Sequence, residues 1–309
     1  MTKENDIYDR ITQKIITDLE KGELTWRKPW SSDHLASQVM RPLRWNDIPY
    51  TGIKTIMLWA TAAEKGYPSP YWMTINQANK LKAHIRSGEK STQVIYVDKM
   101  EKEEEAEDGT TTVKKLSFLQ THNVFNVSQI VGLPDGFYKV PEIKVINPQE
   151  RVVELENFFK QTKAEILTGA KAAYSITNDK IEMPPFECFL DGPNYYATLA
   201  HEVTHWTRHP SRLNRDFNRK TYGDEGYAKE ELVAELGACF LGADLGFEPV
   251  TKEQHAAYIQ SWLTVLKNDK KFIIMAASHA QKAVEFVTKL QPEETLVKPN
   301  PKPQPVLFK

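Results

Sequence analysis

Five residues, His201-Glu202-Val203-Thr204-His205, constrain this chain more than any others. Two histidines four positions apart lie one above the other on a helix, whereas in a strand they would stand roughly 13 Å apart. The approach, Tyr196-Ala197-Thr198-Leu199-Ala200, contains neither Gly nor Pro, so a helix can run into the motif, and Pro210 is expected to end it. Imidazoles stacked in this way can share one divalent metal ion. The carboxylate directly after the first histidine projects toward water polarised by that metal. There it can take the water's proton as the water attacks a peptide carbonyl. His201 and His205 are therefore the candidate ligands and Glu202 the candidate general base.

A third ligand decides whether the motif is a metal site. The metzincin continuation needs Gly at 208 and His at 211; the chain has Arg208 and Ser211, which excludes it. A later segment, Lys229-Glu230-Glu231-Leu232-Val233-Ala234-Glu235-Leu236-Gly237-Ala238, offers carboxylates instead. Glu231 and Glu235 are four apart among apolar neighbours, and a carboxylate buried there is costly unless paired or metal-bound. Glu231 is read as the third ligand and Glu235 as an acceptor that orients a ligand imidazole. The reverse assignment stays open, as does a surface position for both. Two imidazoles and a carboxylate suit Zn2+, with Mn2+ as the alternative. Tyr222 and Tyr227, between the two helices, are candidate donors to a developing oxyanion, and Arg212 and Arg215 lie near them in sequence. A structural role competes for each. His209, beside Pro210, reads as a cap or surface residue and not as a further ligand.

The length of 309 residues favours two domains with tails. The formal net charge of -1 points to no polyanionic partner for the chain as a whole. The longest apolar run, residues 272–277, is far too short to span a bilayer, and the polar start Met1-Thr2-Lys3-Glu4 lacks the apolar stretch of a secretory signal. Cys188 and Cys239 are distant in sequence and read as two buried thiols of a cytoplasmic protein. No membrane association is expected.

Residues 5–21 carry Ile7, Ile11, Ile15 and Leu19 at helical spacing before Gly22, and residues 52–64 look helical up to Gly66. Thr74 and Gln77 predict a capping box opening a helix that runs to His84. Strands are expected over 93–98 and about 113–125, with the acidic run 101–109 between them as a solvated loop. Gly132-Leu133-Pro134-Asp135-Gly136, Pro141 and Pro148 mark a linker. Helical periodicity resumes over 149–167, strand-like pieces surround 174–187, and helices dominate 195–290. Pro299, Pro301, Pro303 and Pro305 predict an extended tail. The division expected is 1–135, a linker over 136–148, a second domain over 149–291 and a tail over 292–309.

Five of the seven tryptophans, Trp26, Trp30, Trp45, Trp59 and Trp72, fall in the first 72 positions and alternate with bases, as in Trp26-Arg27-Lys28-Pro29-Trp30. Outside the acidic run, this half has a modest excess of Lys and Arg. Aromatic rings for stacking bases, flanked by cations for phosphates, are what sequence-tolerant single-strand binding requires. Core packing is the competing reading of the same tryptophans.

Taken together, the chain resembles the ArdC-type antirestriction proteins of plasmids and phages over residues 7–290. The resemblance rests on Trp26-Arg27-Lys28-Pro29-Trp30, Tyr50-Thr51-Gly52-Ile53, Gly88-Glu89-Lys90-Ser91-Thr92 and Val124-Phe125-Asn126-Val127 in the first half. In the second half it rests on residues 199–207, Arg212-Leu213-Asn214-Arg215 and Glu230-Glu231-Leu232-Val233-Ala234-Glu235. It implies an α+β architecture: a mixed α/β domain binding single-stranded DNA, followed by a mainly helical zincin-like metallopeptidase domain. It further implies protection of entering mobile DNA, as in plasmid conjugation, from host restriction, with a protein substrate that could belong to the restriction system. Trp26, Arg27, Trp30, Lys54 and Lys90 are the DNA-binding candidates because they lie in or beside the matching motifs. The rival expectations are a non-catalytic protector in which the metal is structural, and an accessory module of DNA transfer or replication.

Overall fold

The computed structural model describes residues 3–24, 26, 40–105, 111–139, 150–218, 221, 223–247 and 255–292. Its first half is mixed α/β and its second mainly helical. Helix α1 (Lys3–Glu20) buries Ile11, Ile15 and Leu19, and Gly22 follows it with φ 76°. Strand β1 (Leu43–Arg44) leads to α2 (Ile53–Lys65), which ends on the left-handed Gly66. Strand β2 (Tyr71–Met73) precedes the short α3 (Ile75–Lys80). The capping box is present: Thr74 accepts from the Gln77 backbone N–H at 3.3 Å, and Gln77 accepts from that of Thr74 at 2.8 Å. The helix is shorter than expected, because Lys82 adopts φ 58° and His84 enters strand β3 (His84–Ile85) against β6 (Ile130–Val131).

Strands β4 (Thr92–Glu105) and β5 (Thr111–Asn126) are longer than the sequence suggests and complete a sheet of order β1-β2-β5-β4. Their antiparallel register runs without a break from Thr92↔Val124 to Glu105↔Thr111. Residues 101–105 of the acidic run are thus strand, not loop, because ladder pairing with β5 continues through them; residues 106–110 lie outside the described residues.

In the second half, α4 (Val153–Gln161) ends six residues before the expected 167. The Thr162 hydroxyl donates to the Phe159 carbonyl at 2.6 Å and accepts from the Ala164 N–H at 3.2 Å, and Lys163 turns to φ 59°. This local side-chain bonding competes with the next helical turn. The chain leaves as β7 (Glu165–Thr168), parallel to β9 (Lys180–Met183), which also pairs with β8 (Ala173–Ser175). Four helices follow: α5 (Gly192–Trp206), α6 (Glu225–Leu245), α7 (His255–Asn268) and α8 (Phe272–Lys289). None among the described residues is long and apolar enough to cross a membrane. Cys239 is buried as expected, but Cys188, on a one-turn 3-10 helix (Phe186–Cys188), is exposed.

The main core joins both halves. Ile11 and Ile15 of α1 and Ile56 and Trp59 of α2 belong to the same cluster as Leu232 and Phe240 of α6, Trp262 of α7 and Ile273 of α8. Arg41, 5% exposed, binds Asp244 at 2.9 and 3.1 Å and Gln281 at 3.1 Å, with its guanidinium 4.3 Å from the Phe240 ring centre. Residues on both sides of the expected linker therefore share one core. Most of it, residues 140–148, lies outside the described residues, as does the tail from 293.

Candidate metal centre

Asp191 starts α5 by accepting from the Asn194 N–H at 2.9 Å, and Pro193 sits in the first turn, where no amide hydrogen is needed. The helix ends at Trp206, before Pro210. The chain then folds back, with the Leu213 N–H bonded to the Thr207 carbonyl and that of Arg215 to the Arg208 carbonyl, both at 3.0 Å. Asp224 caps α6 by accepting from the Tyr227 N–H at 2.7 Å. Helices α5 and α6 approach closely at Gly237, where a β-carbon would stand 2.5 Å from the Thr204 side chain. This contact, one residue before His205, brings α6 carboxylates to the α5 histidines.

His201, His205 and Glu231 each offer a donor atom, all within 4.8 Å of one another. The two Nε2 atoms are 3.1 Å apart, and the Glu231 oxygens lie 3.3 Å from His201 Nε2 and 3.4 Å from His205 Nε2. Donors bound tetrahedrally at about 2.0–2.1 Å stand about 3.3 Å apart, so this set fits a zinc-sized ion. Glu202, between the two histidines on α5, is 7% exposed.

His205 Nδ1 is 3.1 Å from Glu230 Oε1. Arg215 donates to the same carboxylate through Nε at 2.8 Å and Nη2 at 2.7 Å, and also to the Thr204 carbonyl at 3.0 Å and Thr207 Oγ1 at 3.1 Å. A carboxylate at Nδ1 keeps the proton there and leaves the Nε2 lone pair for a metal. Burial alone would raise the Glu230 pKa, but hydrogen bonds from Arg215 and His205 hold it at about 2. Burial disfavours the His205 imidazolium, yet Glu231 and Glu230 outweigh it and push the metal-free pKa to about 10. Burial likewise opposes the Glu231 anion, while His205 and His201 lower its pKa well below the ordinary range.

Glu230, to which the sequence pattern assigns no role, bridges His205 and Arg215. At His205 Nδ1 the carboxylate partner is Glu230. Glu235 is 5% exposed, with Cys239 Sγ 3.9 Å from its Oε1. The sequence signal is the apolar run Leu232-Val233-Ala234 and Leu236-Gly237-Ala238, beside which a carboxylate at 230 needs a partner as much as those at 231 and 235.

The remaining candidates are dispersed. Tyr222 lies outside the described residues. The Tyr227 hydroxyl is 3.1 Å from that of Tyr258, and the two rings stack at 6.4 Å. Arg212 donates to the Trp206 carbonyl at 2.7 Å and to Asp179, and it lies 3.9 Å over the Trp206 ring; with Arg215 held by Glu230, both arginines have structural partners. His209 Nδ1 meets Ser211 Oγ at 2.7 Å at the surface turn.

Of the DNA-binding candidates, Arg27 and Trp30 lie outside the described residues. Trp26 is a correction: it is 0% exposed, with its ring edge-on to Trp262 at 6.2 Å, so core packing claims it. Trp59 and Trp72 are also fully buried, whereas Trp45 is 37% exposed. Lys54 is half-buried over the Tyr96 ring. Lys90 is exposed, and its carbonyl accepts from Gln129 Nε2 at 2.9 Å.

Residues 5–125 match the N-terminal domain of anti-restriction factor ArdC, and residues 153–279 match the zincin-like metallopeptidase family. The crystal structure of antirestriction protein ArdC from plasmid R388, metal-free, superposes with a TM-score of 0.78 at 43% identity, covering 92% of this chain and 97% of that one. Its Mn(II)-bound structure gives 0.76 at 41% identity, with the same coverage. An uncharacterized protein of Sinorhizobium fredii, y4eC, is 34% identical over 289 residues, 91% of each chain. The DNA primase TraC of Escherichia coli is 34% identical over 299 residues, covering 91% of this chain but 27% of its own length. A zincin-like domain implies zinc, and the Mn(II)-bound relative supports manganese as an alternative. The chain belongs to the ArdC antirestriction family, with a zincin-like metallopeptidase domain in its second half.

Proposed function

We propose that this protein binds single-stranded DNA and carries a metal-dependent peptidase centre, and that it protects entering plasmid or phage DNA from host restriction. The observation that carries the peptidase reading is the convergence of His201, His205 and Glu231 with Glu202 between the two histidines. A closed structural zinc site has four protein ligands and no use for such a carboxylate.

In this reading His201 Nε2, His205 Nε2 and a Glu231 oxygen hold the ion. The metal, when bound, acidifies water and polarises a peptide carbonyl. Glu202 takes the proton from the attacking water and delivers it to the departing amine. Glu230, fixed by Arg215, holds the His205 ring so that Nε2 faces the ligand set. The substrate is a protein encountered near DNA, and a component of the restriction machinery fits that setting. The DNA arm draws on the match of residues 5–125 to the ArdC N-terminal domain.

The test is Glu202→Gln, which keeps size and fold but removes the base. The variant should bind zinc like the unaltered chain, lose peptidase activity, and fail to protect unmodified DNA transferred into a restricting host. Full protection by a zinc-loaded Glu202→Gln protein would overturn the catalytic part. It would leave a protector that shields the strand around a structural metal.

A further inference from the structure

Two cations of the first half, Arg44 and Lys54, each lie against a tyrosine ring, and among the described residues neither has an ion pair with a carboxylate. Arg44, half-buried at the end of β1, has its guanidinium 5.4 Å from the Tyr50 ring centre. Its Nε is buried without a hydrogen-bond partner. Asp47, the acid closest to it in sequence, is engaged instead by the Tyr71 hydroxyl at 2.6 Å. Lys54, half-buried in the first turn of α2, places its ammonium 4.3 Å from the Tyr96 ring centre. Burial lowers the Lys54 pKa, and the neighbouring Arg44 charge lowers it further. Beyond Tyr96 lies the exposed His122, edge-on to it at 4.7 Å. The positive end of α2 adds to the local potential, because its N-cap Gly52 supplies no side-chain acceptor.

Like charges held together in a half-buried setting destabilise one another unless an anion lies between them. A phosphodiester carries one negative charge and oxygens that accept from both a guanidinium and an ammonium. The Tyr50 ring is buried, but Tyr96 is only partly so, and an aromatic surface beside the cations favours a strand whose bases are unpaired and free to stack. We infer that Arg44 and Lys54 grip the phosphate backbone of single-stranded DNA, with the Tyr96–His122 pair forming a surface for an adjacent base. This rests on the single-strand reading above and gives it a location.

The experiment uses the full chain and a fluorescein-labelled oligothymidylate, followed by anisotropy across a KCl series. Arg44→Gln and Lys54→Gln should each lower affinity on the order of tenfold. Together they should flatten the logarithmic salt dependence by roughly 1.4, about 0.7 per lost phosphate contact. Lys65→Gln, at an exposed lysine already paired with Glu64 at 3.1 Å, should change neither. Unaltered affinity and salt slope in both variants would overturn the site while leaving the single-strand reading intact. Absence of binding by the unaltered chain would overturn both. A second measurement needs no variant: bound oligonucleotide should protect Lys54 from an amine-acylating reagent far more than Lys65, read by mass spectrometry. Equal labelling of Lys54 with and without bound strand would also overturn the inference.

Discussion

The Arg215 guanidinium holds the Glu230 carboxylate through two hydrogen bonds, 2.8 and 2.7 Å, with both side chains 1% exposed. Glu230 in turn meets His205 Nδ1. A buried pair of this kind stabilises the fold little relative to an apolar one but is costly to break from one side. Arg215→Leu should therefore lose about 3–5 kcal/mol of stability, because it leaves Glu230 buried without its cation. Urea unfolding of the metal-free protein measures this.

Glu230→Gln keeps the shape but removes the charge that orients His205. Zinc affinity should fall about 10- to 100-fold, as for other partners of metal-bound histidines. Competition with a coloured chelator checks it. Zinc affinity equal to that of the unaltered chain would show that the Glu230 contact does not tune the site.

At Gly237 the two site helices leave no room for a methyl group. Gly237→Ala should cost about 1–3 kcal/mol through overpacking against Thr204, and it should weaken metal binding by spreading His205 from Glu231. Adding Thr204→Ala removes the two atoms at 2.5 Å and should recover part of both losses. A double-mutant cycle with a coupling indistinguishable from zero would contradict the packing argument.

The two charged partners of this network give opposite pH dependences in the metal-free protein. Glu230 has its pKa lowered from 4.5 to about 2, so its contribution to stability is present above about 4.5 and lost as pH falls toward 2. His205 has its pKa raised from 6.5 to about 10; its contribution is present below 6.5 and lost as pH rises through 10. Between these limits a proton on His205 must leave when metal binds. Calorimetry in buffers of different ionisation enthalpy should show release of about one proton at neutral pH. No release would show that His205 is already neutral.

Trp26, edge-on to Trp262 in the core, should act on stability and not on the strand. Trp26→Ala should cost about 3–5 kcal/mol while leaving DNA affinity per folded molecule unchanged. A large affinity loss in fully folded protein would show that the ring leaves the core to meet DNA.

The sequence was most informative where one local pattern dictates one geometry. The spacing of His201 and His205 requires a helix, and Thr74 with Gln77 makes a capping box wherever a helix starts. The α4 terminus was less legible, because Thr162 bonds to its own neighbours and ends a periodicity that runs on in the residues. Trp26 and Glu230 needed tertiary information. Whether a tryptophan packs inside or faces a ligand depends on Trp262, more than two hundred residues away. Which of three α6 carboxylates meets His205 at Nδ1 depends on helix rotation, which the spacing of Glu231 and Glu235 does not fix.

The shared core has a consequence for how such a chain is inherited. Ile11, Ile15, Ile56 and Trp59 complete the apolar cluster around the metal-bearing helices, and Arg41 is tied to Asp244. A recombination event that separated the two matched regions would strand an apolar face on each product. The likeness to TraC accordingly extends over 299 residues and spans both regions, although it occupies 27% of that larger protein. On this packing the two matched regions are expected to fold as one piece.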